Sequence, residues 1–285
     1  MSALILKGAP VAAALNEKTN ALVAELAAEG VAPCLAVVRV GENPDDVSYE
    51  KGIVKRCAGL AIDVRPTHLP ETVDEKTVIE TLCKLSADST VHGILVFLPL
   101  PAGIDPEKVK AAIAPEKDVD GVTDASAAAV FAGKRDAFAP CTAQAVMEML
   151  DYYGVELGGR RAAVFGRSMV VGRPAAMLLT ARDATVTLCH SKTADPETIA
   201  READVIVCAV GRAGAIGGGY FRPGQTVIDV GINFTAEGKM CGDADFAAAE
   251  ETVSAVTPVP GGVGAVTTAV LAAHVAQAAK RLSGV

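Results

Sequence analysis

The sequence predicts an α/β protein of two domains, each built on a parallel sheet. Three observations carry that expectation. Apolar runs rich in β-branched residues alternate with amphipathic stretches of helical length. The 285 residues, 51% of them hydrophobic, are enough for two ordinary domains with substantial cores. The polar-ended, turn-rich stretch "APEKDVDGVTDASAAAVFAGKRDAFAP" separates two such series, which places a domain boundary just before Pro140.

The elements follow in order. Residues 11–29 read as a helix stopped by Gly30. "CLAVVRV" (34–40) is a continuous apolar run, so a strand buried on both faces. A helix over about 45–58 ends near Gly59, and "AIDVRP" is a second strand. Asp74 begins a helix over 74–86, and "GILVFL" (93–98) is a third strand. A proline-bounded loop and a short helix follow in "PLPAGIDPEKVKAAI". Past the boundary, Thr142 is placed to cap "AQAVMEMLDYYG". The second series then runs "RAAVFG" strand, helix 172–181, "ATVTLC" strand, helix 195–202, "DVIVCAVG" strand and "QTVIDVG" strand. "GAVTTAVLAAHVAQAAKRL" closes the chain as a long helix, and no internal repeat interrupts the pattern.

Composition narrows the partners. Aromatics are 4% of the chain and tryptophan is absent, which argues against a stacking surface for single-stranded nucleic acid. A net charge of −8 provides no basic field for a polyanion. The seven cysteines include no C-x-x-C pair and several lie in apolar runs, as buried reduced thiols of a cytoplasmic protein do. The four histidines have no metal-ligand spacing, so no metal is expected. No basic leader and no uninterrupted apolar run of membrane-spanning length is present, so no membrane association is expected.

"VFGRSMVVGRP" leaves a strand and opens a helix. Its spacing departs from G-x-G-x-x-G, yet the mechanics are the same: Gly166 permits a tight turn, Gly172 a close backbone approach, and Pro174 suits a first helical turn. A pyrophosphate would lie against that helix N-terminus, unless this is a plain strand–turn–helix connection. The next strand ends "LCHSKT", with Ser191 and Lys192 where an NAD site carries a carboxylate for the ribose 2′-OH. Arg167 offers a planar fork to a 2′-phosphate. These residues favour NADP over NAD, although Lys192 also reads as an exposed loop charge.

In this order, "DVDG", "GRSMVVGRP", "ATVTLCHSKT", "VIDVGIN" and "TPVPGGVG" resemble the methylenetetrahydrofolate dehydrogenase/cyclohydrolase family, over nearly the whole chain from "VGENP". The resemblance implies a catalytic, folate-binding domain over 1–139 joined by a returning helix from 263–285, and a Rossmann-like NADP-binding domain over 140–262. It implies a homodimer, tetrahydrofolate derivatives as substrates, and two reactions at one site: hydride transfer to NADP⁺, then hydrolysis of the methenyl product. Carried over by residue, Gly166, Arg167, Ser168, Ser191 and Ile232 are cofactor-binding, and Tyr49, Asp120, Pro260, Gly261 and Gly262 substrate-binding. Asp120 would accept hydrogen bonds from the pterin amino group and ring N–H.

Two catalytic positions depart from the family's pattern. Its tyrosine is followed four residues later by lysine, where this chain has Ile53, and its "LVQLPLP" glutamine is here Phe97. A smaller departure is Ala265 and Val266 in place of Pro-Met. Two of the three polar groups of the family's usual catalytic trio are thus replaced by apolar ones and only Asp120 remains, so the catalytic positions here are Tyr49, Asp120, Ile53 and Phe97. At about 100° per residue, Ile53 shares Tyr49's helix face and Lys51 and Lys55 do not, while Arg56 falls near that face. Hydride transfer moves no proton and depends on positioning. Hydrolysis needs a proton-handling group, which Ile53 and Phe97 cannot supply. The expectation is therefore an NADP-dependent dehydrogenase with cyclohydrolase activity lost or weak. The alternatives are a bifunctional enzyme making 10-formyltetrahydrofolate, a catalytically silent folate-binding protein, and another Rossmann oxidoreductase, for which no histidine stands near the substrate loop.

Overall fold

The computed structural model describes residues 2–134 and 136–285. In chain order the elements are β1 (Leu4–Ile5), α1 (Gly8–Ala28), β2 (Cys34–Val40), α2 (Pro44–Ala58), β3 (Asp63–Leu69), α3 (Glu75–Ala87), β4 (Gly93–Val96), α4 (Pro106–Ala111) and α5 (Asp124–Phe131). They continue with α6 (Cys141–Tyr152), β5 (Arg161–Phe165), α7 (Gly172–Thr180), β6 (Thr185–Cys189), α8 (Pro196–Glu202), β7 (Val205–Cys208) and β8 (Thr226–Asp229). The last are β9 (Asn233–Phe234), β10 (Met240–Cys241), α9 (Phe246–Thr252), β11 (Ala255–Val256) and α10 (Thr267–Ser283). Among the described residues no helix is long and apolar enough to cross a membrane.

The chain forms two compact units. One comprises Ala14–Ala129, Asp136–Cys141 and Thr268–Val285. Its sheet has the order β3-β2-β4, all parallel. Central β2 is buried at all seven positions, as a strand covered on both faces must be. Edge strand β3 is mostly exposed and tolerates Pro66. The core joins Ala36, Val38, Val78, Leu82, Ile94 and Val109. Helix α2 starts on Pro44, with the Asn43 side chain accepting from the Asp45 N–H at 2.9 Å. Asp45 and Asp46 in its first turn, and Lys55 and Arg56 in its last, complement the helix dipole.

The other unit comprises Met1–Ala13, Val130–Arg135 and Thr142–Thr267. Its sheet runs β1-β11-β8-β7-β5-β6, parallel throughout, and a β9–β10 hairpin stands beside it in the chain. The expectation that residues 1–139 lie together is corrected at the N-terminus. Leu4 and Ile5 pair with Ala255 and Val256, so the first strand extends the second sheet. Thr142 is not a cap, because α6 already begins at Cys141. The segment read as a linker contains α5.

Gly93, the first residue of β4, has no room for a side chain. A Cβ there would lie 2.8 and 2.9 Å from the Val119 methyls and 3.2 Å from Val275. Gly93→Ala is expected to destabilise the protein by about 1–3 kcal/mol through overpacking. Val119→Ala in the same chain should restore part of the loss, as urea denaturation of the full chain will measure.

Candidate active site

In the three-stranded unit, Tyr49 and Ile53 come from α2, which leaves the C-terminal end of β2. Phe97 directly follows β4, where its N–H donates to the Val38 carbonyl at 3.0 Å and continues the ladder. The Tyr49 ring is 42% exposed and meets Phe97 edge to face, with centroids 6.1 Å apart and planes at 87°. One turn on, Ile53 is 1% exposed, and Phe97 is 8% exposed. Helical geometry thus places Ile53 inward of Tyr49, and both departures from the family pattern are buried hydrocarbon. Lys51 and Lys55 point to solvent. Arg56 does not serve the site: its Nε donates to Thr268 Oγ1 at 2.7 Å and its Nη1 to Asn16 Oδ1 at 3.3 Å, so it ties α2 to α10 and α1.

Glu50, beside Tyr49, was not singled out by the sequence. It accepts from Arg39 Nε at 2.8 Å and pairs with His68 Nε2 at 2.7 Å. Burial pushes its carboxyl up, but the bonds from His68 and Arg39 outweigh this and hold it below its ordinary value. This pins the inner side of α2 under Tyr49. Arg39 inside the buried run of β2 was the available signal, since a buried arginine needs an anion.

Asp120 sits in the turn between the buried Val119 and Gly121 and is only partly exposed. Burial pushes its carboxyl from an ordinary 3.8 to about 7, against a hydrogen bond from the Cys141 thiol and with a small push from Asp118. Asp118 is itself fully buried and belongs to the loop: it accepts from the N–H groups of Val122 and Thr123 and from Ser126 Oγ. Behind Asp120 lie Cys141 and His274, both missed by the sequence reading. His274 Nδ1 is 2.8 Å from the Val119 carbonyl, and burial pushes its imidazole down to about 4. Burial also drives the Cys141 thiol well above its ordinary value.

The cofactor candidates lie in the six-stranded unit. The chain passes from β5 to β6 on one side and then to β7 on the other, so a topological switch point falls at the end of β5. Gly166 is there, with its N–H on the Cys189 carbonyl at 3.0 Å and the Ala209 N–H on Phe165 at 2.7 Å. At φ +118° its Cβ would lie 1.9 Å from the Ala209 oxygen, and a Cβ on Gly172 would lie 2.0 Å from the Gly166 oxygen. A turn this tight, free of side chains at both glycines and ahead of α7, fits a dinucleotide pyrophosphate. Ser168 Oγ accepts from the Val171 N–H at 3.1 Å, closing the turn, and Arg167 is exposed beside it. Ser191 and Lys192 are exposed at the end of β6, on a loop held by Thr193 and His190. Ile232 is 63% exposed. Pro260 and Gly261 are exposed and Gly262 is buried, with Gly261 accepting from the Gly8 N–H at 2.8 Å.

Two further carboxylates that the sequence reading passed over shape this rim. Asp243 accepts from the N–H groups of Val210, Gly211 and Arg212 and from Asn233 Nδ2. Asp229 accepts from the N–H groups of Gly231, Asp243 and Ala244. Together they fix the loop after β7 and the loop that carries Ile232.

With this geometry in view, two family models span most of the chain. Residues 6–120 match the tetrahydrofolate dehydrogenase/cyclohydrolase catalytic domain, and residues 140–283 match the NAD(P)-binding domain of the same family. The chain belongs to the tetrahydrofolate dehydrogenase/cyclohydrolase family. It is 47% identical over 281 residues to the bifunctional protein FolD of Carboxydothermus hydrogenoformans, covering 98% of each chain. The bifunctional FolD structure from Campylobacter jejuni superposes with a TM-score of 0.95 at 36% identity, over 98% of this chain and 99% of that one. The Trypanosoma brucei methylenetetrahydrofolate dehydrogenase-cyclohydrolase, solved with NADP cofactor and an inhibitor, gives a TM-score of 0.92 at 34% identity, over 99% and 98%. The bifunctional names fit the alternative of a two-step enzyme better than the expected dehydrogenase with little hydrolysis.

Asp120 and His274 have opposite signs in stability, and Asp229, whose buried carboxyl is raised to about 6, has the sign of Asp120. Asp120 has a raised folded value, so the native state holds its proton longer and stability falls as pH rises from about 4 to about 7. His274 has a lowered folded value, so the unfolded chain takes its proton first and stability rises with pH from about 4 to 6.5. Asp120→Asn should remove its falling contribution, making the slope between about pH 4 and 7 more positive, and His274→Asn should make the slope between about 4 and 6.5 more negative. Thermal midpoints of both variants between pH 4 and about 8 check the two slopes.

Proposed function

We propose that this chain oxidises 5,10-methylenetetrahydrofolate to the 5,10-methenyl cation with NADP⁺ as acceptor, and that it hydrolyses the cation slowly. The observation that carries this reading is the buried hydrocarbon at Ile53 and Phe97 beside Tyr49. Gly166, Arg167 and Ser168 would hold the NADP⁺, which would supply the hydride acceptor. In that step a substrate C–H bond breaks with its electron pair, a ring-nitrogen lone pair forms the C=N bond, and no protein group gains or loses a proton. What the chain supplies is placement: Tyr49, braced by Phe97, against the substrate, and Asp120 as acceptor for the pterin donors. Pro260, Gly261 and Gly262 are proposed as substrate-loop residues. Gly166, Arg167, Ser168, Ser191 and Ile232 are proposed for the cofactor. Arg167 with Ser191 and Lys192, and no carboxylate after β6, supports NADP over NAD. A cytoplasmic homodimer is part of the same reading, with the oligomeric state measurable by light scattering on a sizing column.

Hydrolysis makes a different demand. Water adding to the methenyl carbon must lose a proton, and a ring nitrogen must gain one. Neither Ile53 nor Phe97 has a donor or acceptor for either transfer. The second reading, a bifunctional enzyme, is supported by the name of the Carboxydothermus relative and by Asp120, a group that exchanges a proton near neutral pH.

A paired assay on the purified protein separates the readings. The expected result is NADPH formation from methylenetetrahydrofolate and methenyl hydrolysis close to the buffer rate. Hydrolysis comparable to the dehydrogenase rate would transfer the assignment to the bifunctional enzyme, and absence of NADPH formation despite folate binding would indicate a silent binding protein. Ile53→Lys with Phe97→Gln should raise hydrolysis about a hundredfold, the low end of what a positioned acid–base group contributes.

A further inference from the structure

The three-stranded unit has a second cleft, of about 620 Å³, at the N-terminal ends of its strands. That is the opposite pole of the sheet from Tyr49 and Phe97, which follow the C-terminal ends of β2 and β4. Its volume is that of a small-molecule pocket. Strand pairing lays out the floor. Cys34 pairs with Asp63, and the His92 N–H donates to the Cys34 carbonyl at 2.9 Å, so Asp63, Cys34 and His92 form one row across the sheet. Asp63 and His92 are then two strand spacings apart, roughly 10 Å. Arg65, two residues on from Asp63 and on the same face of β3, reaches Asp88 Oδ2 at 2.7 Å and Thr90 Oγ1 at 3.1 Å, in the segment ahead of β4. His92 is 6% exposed, and its Nδ1 accepts from the Cys34 N–H at 3.1 Å, so the ring's hydrogen is on Nε2. Burial, and then the nearby Lys117 charge, push this imidazole down, so at neutral pH it is uncharged and Nε2–H is a single donor. Among the described residues no acceptor meets that N–H, yet no buried side-chain nitrogen there lacks a partner, so Nε2 opens onto the cleft that His92 lines.

We propose that this cleft binds a small aliphatic α-amino acid as its zwitterion, with the carboxylate on Arg65 and His92 Nε2–H, the ammonium on Asp63, and the side chain against Val31 and Val64. Charge selects the class. Two of the Arg65 N–H groups are used by Asp88 and Thr90, and the others remain to grip a carboxylate. The Asp63 carboxylate lines the same cleft and makes no hydrogen bond or ion pair among the described residues. The remaining charges are committed. Asp88 accepts from Arg65 and from the N–H and hydroxyl of Thr90, and Lys117 Nζ donates to the carbonyls of Ser86 and Asp88. A plain anion would be repelled by Asp63 and a plain cation by Arg65, while a zwitterion satisfies both.

The test is titration calorimetry of the full chain with three probes of one shape: L-valine, 3-methylbutanoate, which lacks the ammonium, and isobutylammonium, which lacks the carboxylate. Valine should bind saturably, and each analogue at least about tenfold more weakly, the loss expected when a hydrogen bond to a charged group goes unmade. Arg65→Met and Asp63→Asn alter exposed side chains, so both variants should fold, and each should weaken valine about tenfold. In the unaltered protein valine should also shift the His92 Nε2 nitrogen-15 resonance and leave that of His274 in place. Absence of saturable valine binding overturns the proposal. So does an analogue that binds as tightly as valine, or a valine affinity that both variants leave unchanged. Should either variant fail to fold, the analogue series and the His92 resonance decide the matter in the unaltered chain.

Discussion

Loops that leave the C-terminal ends of parallel strands carry N–H groups with no ladder to join, and in this protein buried carboxylates accept them. Asp118 gathers the turn after residue 121, Asp229 the loop after β8, and Asp243 the loop after β7. Each bond is modest alone, but an unpaired N–H or carboxylate in the same place would cost far more. Among the described residues no buried side-chain nitrogen or oxygen lacks a partner. In the six-stranded sheet these bonds tie down the rim where ligands of open α/β sheets bind. Ile232, proposed for the cofactor, stands between Gly231 and Asn233, which Asp229 and Asp243 hold.

This division of labour explains what could be read from the sequence. "CLAVVRV" and "GILV" announce themselves as buried strands because an apolar β-branched run has few other uses. The two-residue strands β1, β11, β9 and β10 are too short for any periodicity, and β1 gains its place from a partner at the far end of the chain. In the site, "GRS" and "DVDG" are legible because local geometry demands those residue types. Asp118 and Asp120 stand two residues apart in one motif, yet one is consumed by its own loop and the other is held ready, which only the hydrogen bonds distinguish. Cys141, His274 and Glu50 were not legible, because their roles come from contacts across long stretches of chain: His274 reaches a carbonyl 155 residues away.

Ile53 and Phe97 are best understood as one change. A lysine at position 53 would be buried on the inner face of α2 and, with Phe97 opposite in the family's glutamine position, would have no polar partner there. Replacing both groups with hydrocarbon removes the cost of an unpaired charge. Phe97 also meets the Tyr49 ring edge to face, an arrangement worth about 0.5–1.5 kcal/mol beyond burial.

The same substitution separates the demands of the two reactions of the family. Hydride transfer depends on where the substrate carbon is held, which needs no proton-handling side chain. Hydrolysis depends on a proton having somewhere to go, and packing cannot substitute for that. Asp120 is the one titrating group retained from that polar set, and burial raises its carboxyl to about 7. At positions 53 and 97 this chain offers packing and no proton handling, and that is the ground on which the proposed slow hydrolysis rests.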